Sequence, residues 1–434
     1  MTFILILAAL TALLYTGLPM FAGMFLFSGA VLWWVEGGLG TLGEFVFTHL
    51  DVYLLVALPL FLLMAQFMVR GRVVDDLFST AHTLVGHLPG GLGVATVFAC
   101  TVFAAVSGSS VATALTVGAV AIPQMLRYGY DPRAAYGVVA GGGTLGILIP
   151  PSAPMVLYGV VSDTSVGALF MAGVIPGIMM ALIFSAYCMI SQYARERRGG
   201  ANAPVRLKRA SAGAMAAAIR KSGWALSLPP FVLGGIYFGW FTATEAAAAG
   251  AALALFIAAV SYRQLGWRDI WECSQDAART TAMLFMIILG AGLFGHMLTK
   301  LGIPKQAVDL VLSYGVSKIA FMVAVMLLLF VLGLILESFS IILITTPVIL
   351  PVMGALGIDK VWYGVLLTIN LELALISPPV GMNLIAIKSI TKAPLAEIDR
   401  AAMPYIALLT LGIAIIIAFP EIALWLPRTM AYGR

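Results

Sequence analysis

Residues 110–151 read SVATALTVGAVAIPQMLRYGYDPRAAYGVVAGGGTLGILIPP, and residues 338–379 read SFSIILITTPVILPVMGALGIDKVWYGVLLTINLELALISPP. Laid over each other without a gap, at an offset of 228 positions, they share 10 identities in 42. Apolar matches carry little weight in such a composition, so the weight rests on the punctuation. Pro123, Asp131, Pro150 and Pro151 recur as Pro351, Asp359, Pro378 and Pro379, with Gly129 and Gly357 two residues before each Asp. Turn-forming and helix-breaking residues at repeated spacing predict that helix ends recur at the same places. The same offset lays residues 52–69 on 280–297.

Around this repeat the chain is strongly apolar. Of 434 residues, 62% are hydrophobic and 10% charged, against about 45–50% and about 25% in soluble domains. With a mean hydropathy of +1.04, this excludes a soluble globular protein, a disordered chain and a nucleic-acid-binding protein. A helical crossing takes about 20 apolar residues, so an all-α polytopic inner membrane protein, resident in the lipid bilayer, is expected.

Apolar runs predict spans at 3–17, 19–35, 52–69, 133–160, 165–193, 222–240, 242–262, 280–298, 361–388 and 403–427. The first lacks a basic leader and a cleavage pattern, and reads as a retained segment. Residues 88–126 and 319–356 are too long for one crossing and break at Ser107–Ser110 and at Glu337-Ser338. Each is either a pair of crossings or a re-entrant helical hairpin, with the same sidedness.

The net charge is +5, from 24 basic and 19 acidic residues. If the basic segment 194–221 is cytoplasmic, counting outward puts Arg70, Arg72, Arg127, Arg133, Arg263 and Arg268 inside. Glu36, Glu44 and Asp51 then fall outside. The agreement fails if 88–126 crosses once. On this count the first hairpin opens from the cytoplasm and the second from the periplasm. Inverted-topology repeats with two hairpins and two discontinuous helices are the organisation of secondary transporters, which hold substrate and ions at the midplane.

The expected organisation is therefore scaffold helices at 1–70 and a first transport half at 71–190, with hairpin 88–126 and broken helix 133–160. A basic connector at 194–221 leads to scaffold helices at 222–298. A second transport half at 299–400, with hairpin 319–356 and broken helix 361–388, precedes a C-terminal helix at 401–434.

Helices are expected to be disturbed at Gly141-Gly142-Gly143 and at Pro150-Pro151, because Pro removes a backbone donor and Gly lowers helix propensity. Freed carbonyls with Ser and Thr hydroxyls are hard oxygen ligands suited to Na⁺, while restarting helices present N–H groups to an anion. One cation site is expected from Ser107, Gly108 and Ser109 with Gly143, Thr144 and Pro150. Its mirror is expected from Glu337, Ser338, Ser377, Pro378 and Gly381. Ser110, Asn370 and Asn383 are candidates to face substrate, with an interhelical structural hydrogen bond the competing reading of each Asn.

Carboxylates at membrane depth are rare and functional by default. Glu337 and Glu372 are thus candidates for ligating a cation or relaying protons, against Glu337 merely reaching water near a helix end. Glu245, after Thr242 and Thr244, reads as helix capping. His49, His82, His87 and His296 lack paired ligand spacing, and Cys100, Cys188 and Cys273 suggest neither disulfide framework nor metal cluster. Trp33, Trp34, Trp240 and Trp425 read as interfacial anchors. An intramembrane serine hydrolase using Ser109 or Ser110 lacks a nearby base: His82 and His87 fall in a surface stretch and His296 near an outer end.

These residues resemble the large membrane subunit of tripartite ATP-independent periplasmic (TRAP) transporters. The matching blocks are LPLFLLMAQFM at 58–68, LPGGLGVATVFACTVFAAVSGSSVATA at 88–114, IPQMLRYGYDPRAAYGVVAGGGTLGILIPPS at 122–152 and FTATEAAAA at 241–249. ILITTPVILPVMGALGID at 342–359 and LELALISPPVGMNL at 371–384 complete them. Departures are mild: Ala243 stands where the family often has Pro, Ser377 where it often has Thr, and Gly141 where Ala is common.

The resemblance implies an elevator transporter that takes up a small organic acid such as a dicarboxylate or sugar acid. Uptake would be driven by Na⁺ as coupling ion, with no cofactor and no ATP hydrolysis. It implies two partners, a small four-helix membrane subunit and a periplasmic substrate-binding protein. A stand-alone anion:sodium symporter or antiporter of related architecture is the alternative.

Overall fold

The computed structural model describes residues 6, 9, 12, 13, 16–38, 40, 42–71, 73–197 and 209–430. The span expected at 3–17 lies largely outside them, as do Arg72, Arg198, Arg206 and Lys208. The described residues are helical throughout, with no strand.

In chain order the helices are α1 (Met20–Glu36), α2 (Leu42–Leu50), α3 (Ala57–Arg70), α4 (Val73–Val85), α5 (Gly91–Ser107), α6 (Ser110–Arg127) and α7 (Pro132–Leu148). There follow α8 (Ala153–Ser162), α9 (Val166–Arg197), α10 (Ala212–Lys221), α11 (Gly223–Tyr237), α12 (Ala243–Phe256) and α13 (Trp267–Lys300). The rest are α14 (Ile303–Ser313), α15 (Lys318–Gly333), α16 (Ser338–Leu356), α17 (Lys360–Leu375), α18 (Met382–Thr391), α19 (Leu395–Ala418) and α20 (Glu421–Arg428). Eight stretches among the described residues are long and apolar enough to cross a membrane.

The repeated punctuation has a local cause at each position. Gly129 and Gly357 take positive φ, +82° and +62°, where a side chain would be strained, and turn the chain after α6 and α16. Asp131 then caps α7, accepting the Arg133 N–H at 2.7 Å, and Asp359 caps α17, accepting Val361 and Trp362 N–H at 2.8 and 3.0 Å. Pro123 and Pro351 sit inside α6 and α16. Pro150-Pro151 and Pro378-Pro379, both cis, separate α7 from α8 and α17 from α18. Each repeat thus holds two consecutive helices, α5–α6 or α15–α16, followed by a helix pair divided at a Pro-Pro, α7–α8 or α17–α18.

Several expectations need correction. α7 runs unbroken through Gly141, Gly142 and Gly143, and only Pro150-Pro151 interrupts it. The glycines serve packing: a Cβ at Gly141 would strike the Tyr405 ring, at Gly142 Cys100 Sγ, and at Gly143 Ala114. Each Gly lowers helix propensity by about 1 kcal/mol, but here it lets side chains of α5, α6 and α19 press against the α7 backbone. α13 begins at Trp267, well before 280, because its charged first turns are paired: Arg268 with Glu272 at 3.1 Å and Arg70 with Glu272 at 2.9 Å. The segment expected at 403–427 divides at Phe419-Pro420 into α19 and α20, with α19 starting at Leu395. His82 is not merely superficial, since its Nε2 is buried.

The two halves interlock. α18 packs on α6 and α17 on α7, while α13 lies against α1, α3 and α16. Thr242 and Glu245 form the expected capping box, Thr242 N–H donating to Glu245 Oε2 at 2.8 Å. The four tryptophans read as anchors are exposed. The three cysteines are free.

Candidate functional site

Both hairpin tips open onto one cavity of about 200 Å³, smaller than the roughly 300–1,000 Å³ of drug-sized ligand sites and suited to a small solute. The first tip supplies Ser107, Gly108, Ser109 and Ser110, and the second supplies Glu337 and Ser338. Thr280 of α13 and Phe61 of α3 line it as well. No lysine or arginine among the described residues lines it.

Four helices begin at this cavity: α6 at Ser110, α8 at Ala153, α16 at Ser338 and α18 at Met382. Their first-turn N–H groups and positive dipole ends are anion-binding chemistry that needs no basic side chain. Ser107 closes α5 and Leu375 closes α17 on the same cavity, so carbonyl ends, which favour cations, approach it too.

Ser110, which lines the cavity, is the hub of a hydrogen-bond network. Its hydroxyl lies 3.0 Å from the Gly143 carbonyl and 2.8 Å from Glu372 Oε2, with one proton to donate between them, and it accepts the Asn383 Nδ2–H at 2.7 Å. The other Glu372 oxygen, Oε1, accepts the Ile147 N–H at 3.0 Å. Ser110, Glu372 and Asn383 are all buried. This network joins α6 and α7 of the first half to α17 and α18 of the second.

The remaining expected residues are distributed around it. Ser107 Oγ meets Thr113 Oγ at 3.0 Å, and Ser109 caps α6 by accepting the Ala112 N–H at 3.4 Å. Gly108, at φ +58°, lies against the Pro151 carbonyl, so the first tip touches the first broken helix. Gly143, Thr144 and Pro150 stand off the cavity surface; Thr144 donates to the Gly141 carbonyl of its own helix.

In the second set, Glu337 and Ser338 line the cavity, whereas Ser377, Pro378 and Gly381 do not. Ser377 donates to the Leu373 carbonyl at 2.6 Å, and a Cβ at Gly381 would sit 3.2 Å from the Ser377 carbonyl. No hydrogen bond joins Glu337 or Ser338 to these three among the described residues. Asn370 stands apart: its Nδ2 donates to the Met326 carbonyl at 2.8 Å, packing α17 on α15 and not facing the cavity.

Sequence reasoning left open what Glu372 does and missed Thr280. The former is tied to Ser110 across 262 positions, a separation no spacing rule reaches. The offset of 52–69 on 280–297 drew attention to α3 and α13 without showing that both wall the cavity.

Residues 7–422 match the family model described as the DctM component of the tripartite ATP-independent periplasmic transporter. The chain is 40% identical over 383 residues to the C4-dicarboxylate TRAP transporter large permease protein DctM of Pseudomonas aeruginosa, covering 88% of each. It is 36% identical to the protein of that name from Rhodobacter capsulatus, over 99% of this chain and all of the relative. The sialic acid TRAP transporter large permease protein SiaM of Vibrio cholerae is 31% identical, over 97% and 98%.

Among solved structures, the Alcanivorax borkumensis YdaH transporter superposes with a TM-score of 0.62 at 15% identity, over 91% of this chain and 88% of that one. Neisseria gonorrhoeae MtrF gives 0.60 at 14%, over 88% and 83%. These two share the fold. The family match, the helices long enough to span and the cavity they enclose describe a multi-pass inner-membrane transport protein and not an enzyme. The chain belongs to the DctM family, the large permease subunits of TRAP transporters.

Proposed function

We propose that this chain carries a small organic acid, such as a dicarboxylate or a sugar acid, into the cell by sodium-coupled symport. The observation that carries the reading is the convergence of four helix N-termini on one small cavity without a basic side chain. That arrangement suits carboxylate oxygens. The relatives named for C4-dicarboxylates and sialic acid support the substrate class.

Sodium ions are assigned to the carbonyls and hydroxyls behind the tips. The first site takes Ser107, Gly108, Ser109, Gly143, Thr144 and Pro150, and the second Glu337, Ser338, Ser377, Pro378 and Gly381. Ser110 meets the substrate, and Asn383 holds Ser110 in place. The hairpins and broken helices move together against the scaffold helices in an elevator-type, alternating-access cycle, with each hairpin re-entrant. A periplasmic binding protein delivers the substrate, and a small membrane subunit completes the permease.

The test is uptake of a panel of C4-dicarboxylates and sugar acids into liposomes holding this chain, with and without the two partners, under an inward gradient of Na⁺ or K⁺. Uptake only with all partners and only with Na⁺ is expected. Uptake by the chain alone would replace the tripartite reading with the stand-alone symporter or antiporter, and equal uptake with K⁺ would remove sodium coupling.

A further inference from the structure

A second cavity, of about 190 Å³, lies away from the hairpin tips, between the start of α7, the end of α9 and the start of α19. Arg133, Arg195 and Arg400 line it, one from each helix, together with Tyr130 and Gln192. No aspartate or glutamate among the described residues lines it. Asp131, two residues before Arg133, holds Arg195 at 3.0 Å, while Arg133 and Arg400 are exposed and their guanidinium groups have no partner among the described residues.

Two further observations make this more than a basic patch. Gln192 is 6% exposed, lines the cavity, and its Nε2 donates to nothing among the described residues. A buried amide left unpaired costs about 1–3 kcal/mol unless a ligand or water takes the proton. The Tyr130 hydroxyl accepts the Leu92 N–H at 3.4 Å, and its own proton is left to donate. Burial raises the Tyr130 phenol above its ordinary value, so that proton is present at neutral pH.

The walls are set by close helix contacts. Gly137 and Gly141 of α7 admit the Ala401 carbonyl and the Tyr405 ring of α19, and Gly93 of α5 lies against Cys188 of α9. Tyr405 is fixed from the other side by edge contacts with Phe184 and Tyr187, ring centroids 5.3 Å away in both cases.

We propose that this cavity binds a phosphate-class oxyanion, carried either by the headgroup of an anionic phospholipid or by a soluble phosphate. Donors from three helices, with the Tyr130 hydroxyl and the Gln192 amide, suit the tetrahedrally spread oxygens of inorganic phosphate, or the two unesterified oxygens and neighbouring ester and hydroxyl oxygens of a phosphodiester headgroup, better than the two coplanar oxygens of a carboxylate. The bound anion ties α7, α9 and α19 together at the end of the molecule where the basic connector begins. The assignment is independent of what the first cavity carries.

The test has two arms on the detergent-purified full chain. One follows thermal unfolding with inorganic phosphate against chloride at matched ionic strength. The other follows retention of phosphatidylglycerol against phosphatidylcholine by native mass spectrometry. Wild type is expected to respond in at least one arm, with phosphatidylglycerol alone identifying a headgroup and phosphate alone a soluble anion. Arg133→Gln and Arg400→Gln are each expected to weaken that response about tenfold, the worth of one charge-assisted hydrogen bond. Arg400→Lys keeps charge and fold but loses the planar fork, and is expected to fall between. Gln192→Leu is expected to weaken the same arm. No response to either probe in wild type, or equal responses in the arginine variants, overturns the site.

Discussion

Glu372 occupies the position that Thr144 holds in the first repeat, and Asn383 the position of Met155. The chemistry at the centre is therefore not duplicated, although the helix ends around it are. Removing the carboxylate leaves the Ile147 N–H without its side-chain acceptor and Ser110 without one of its two, inside a buried network. Glu372→Ala is expected to destabilise the protein by about 1–3 kcal/mol and to abolish uptake. Glu372→Gln, which keeps one carbonyl acceptor, is expected to retain most of the stability; thermal unfolding and liposome uptake measured together check both. The Ser-Gly-Ser-Ser tip was legible because small polar residues interrupt an apolar run. Asn370 and Asn383 lie on the same broken segment and read alike, yet one packs on Met326 and the other holds Ser110. Which face of a helix meets which neighbour is decided by elements far away in the chain.

At the level of elements, the breaks that involve Pro were readable and the run of Gly was not. Proline acts on its own backbone wherever it stands, so Pro150-Pro151 and Pro378-Pro379 mark helix ends without reference to anything else. Glycine is ambiguous between bending a helix and letting another approach it, and in α7 the second use prevails. Gly141→Ala is expected to cost about 1–3 kcal/mol by overpacking against Tyr405, and Tyr405→Leu to relieve part of that loss. Thermal unfolding of the two single variants and the double variant forms the cycle that checks it. The early start of α13 was hidden for another reason. Its first turns are polar, and a hydropathy reading cannot see Glu272 paired to Arg70 across 202 positions.

On the scale of the molecule, the elevator proposal requires α16 to slide past α13. A Cβ at Gly295 of α13 would lie 3.4 Å from Pro347 Cβ of α16, close to the spacing a disulfide spans, roughly 3.5–4.5 Å. In a background without the native cysteines, oxidised Gly295→Cys with Pro347→Cys is expected to stop sodium-driven uptake, and reduction to restore it. Full uptake with the bond formed would show that these helices do not part. The repeat made the two-part plan visible from sequence, because caps and breaks are local and survive duplication; the interlocking of the parts is not local and was invisible.

The hydrogen bonds from Ser110 to Glu372 and from Asn383 to Ser110 cross between the two repeats. Neither repeat carries a finished site by itself, and two copies of either one would not make this one. The repeat carries the framework twice but not this linkage, whose Glu372 and Asn383 are matched by Thr144 and Met155 in the other half. A gene split within the connector would yield two fragments that bind nothing in this way until they found each other.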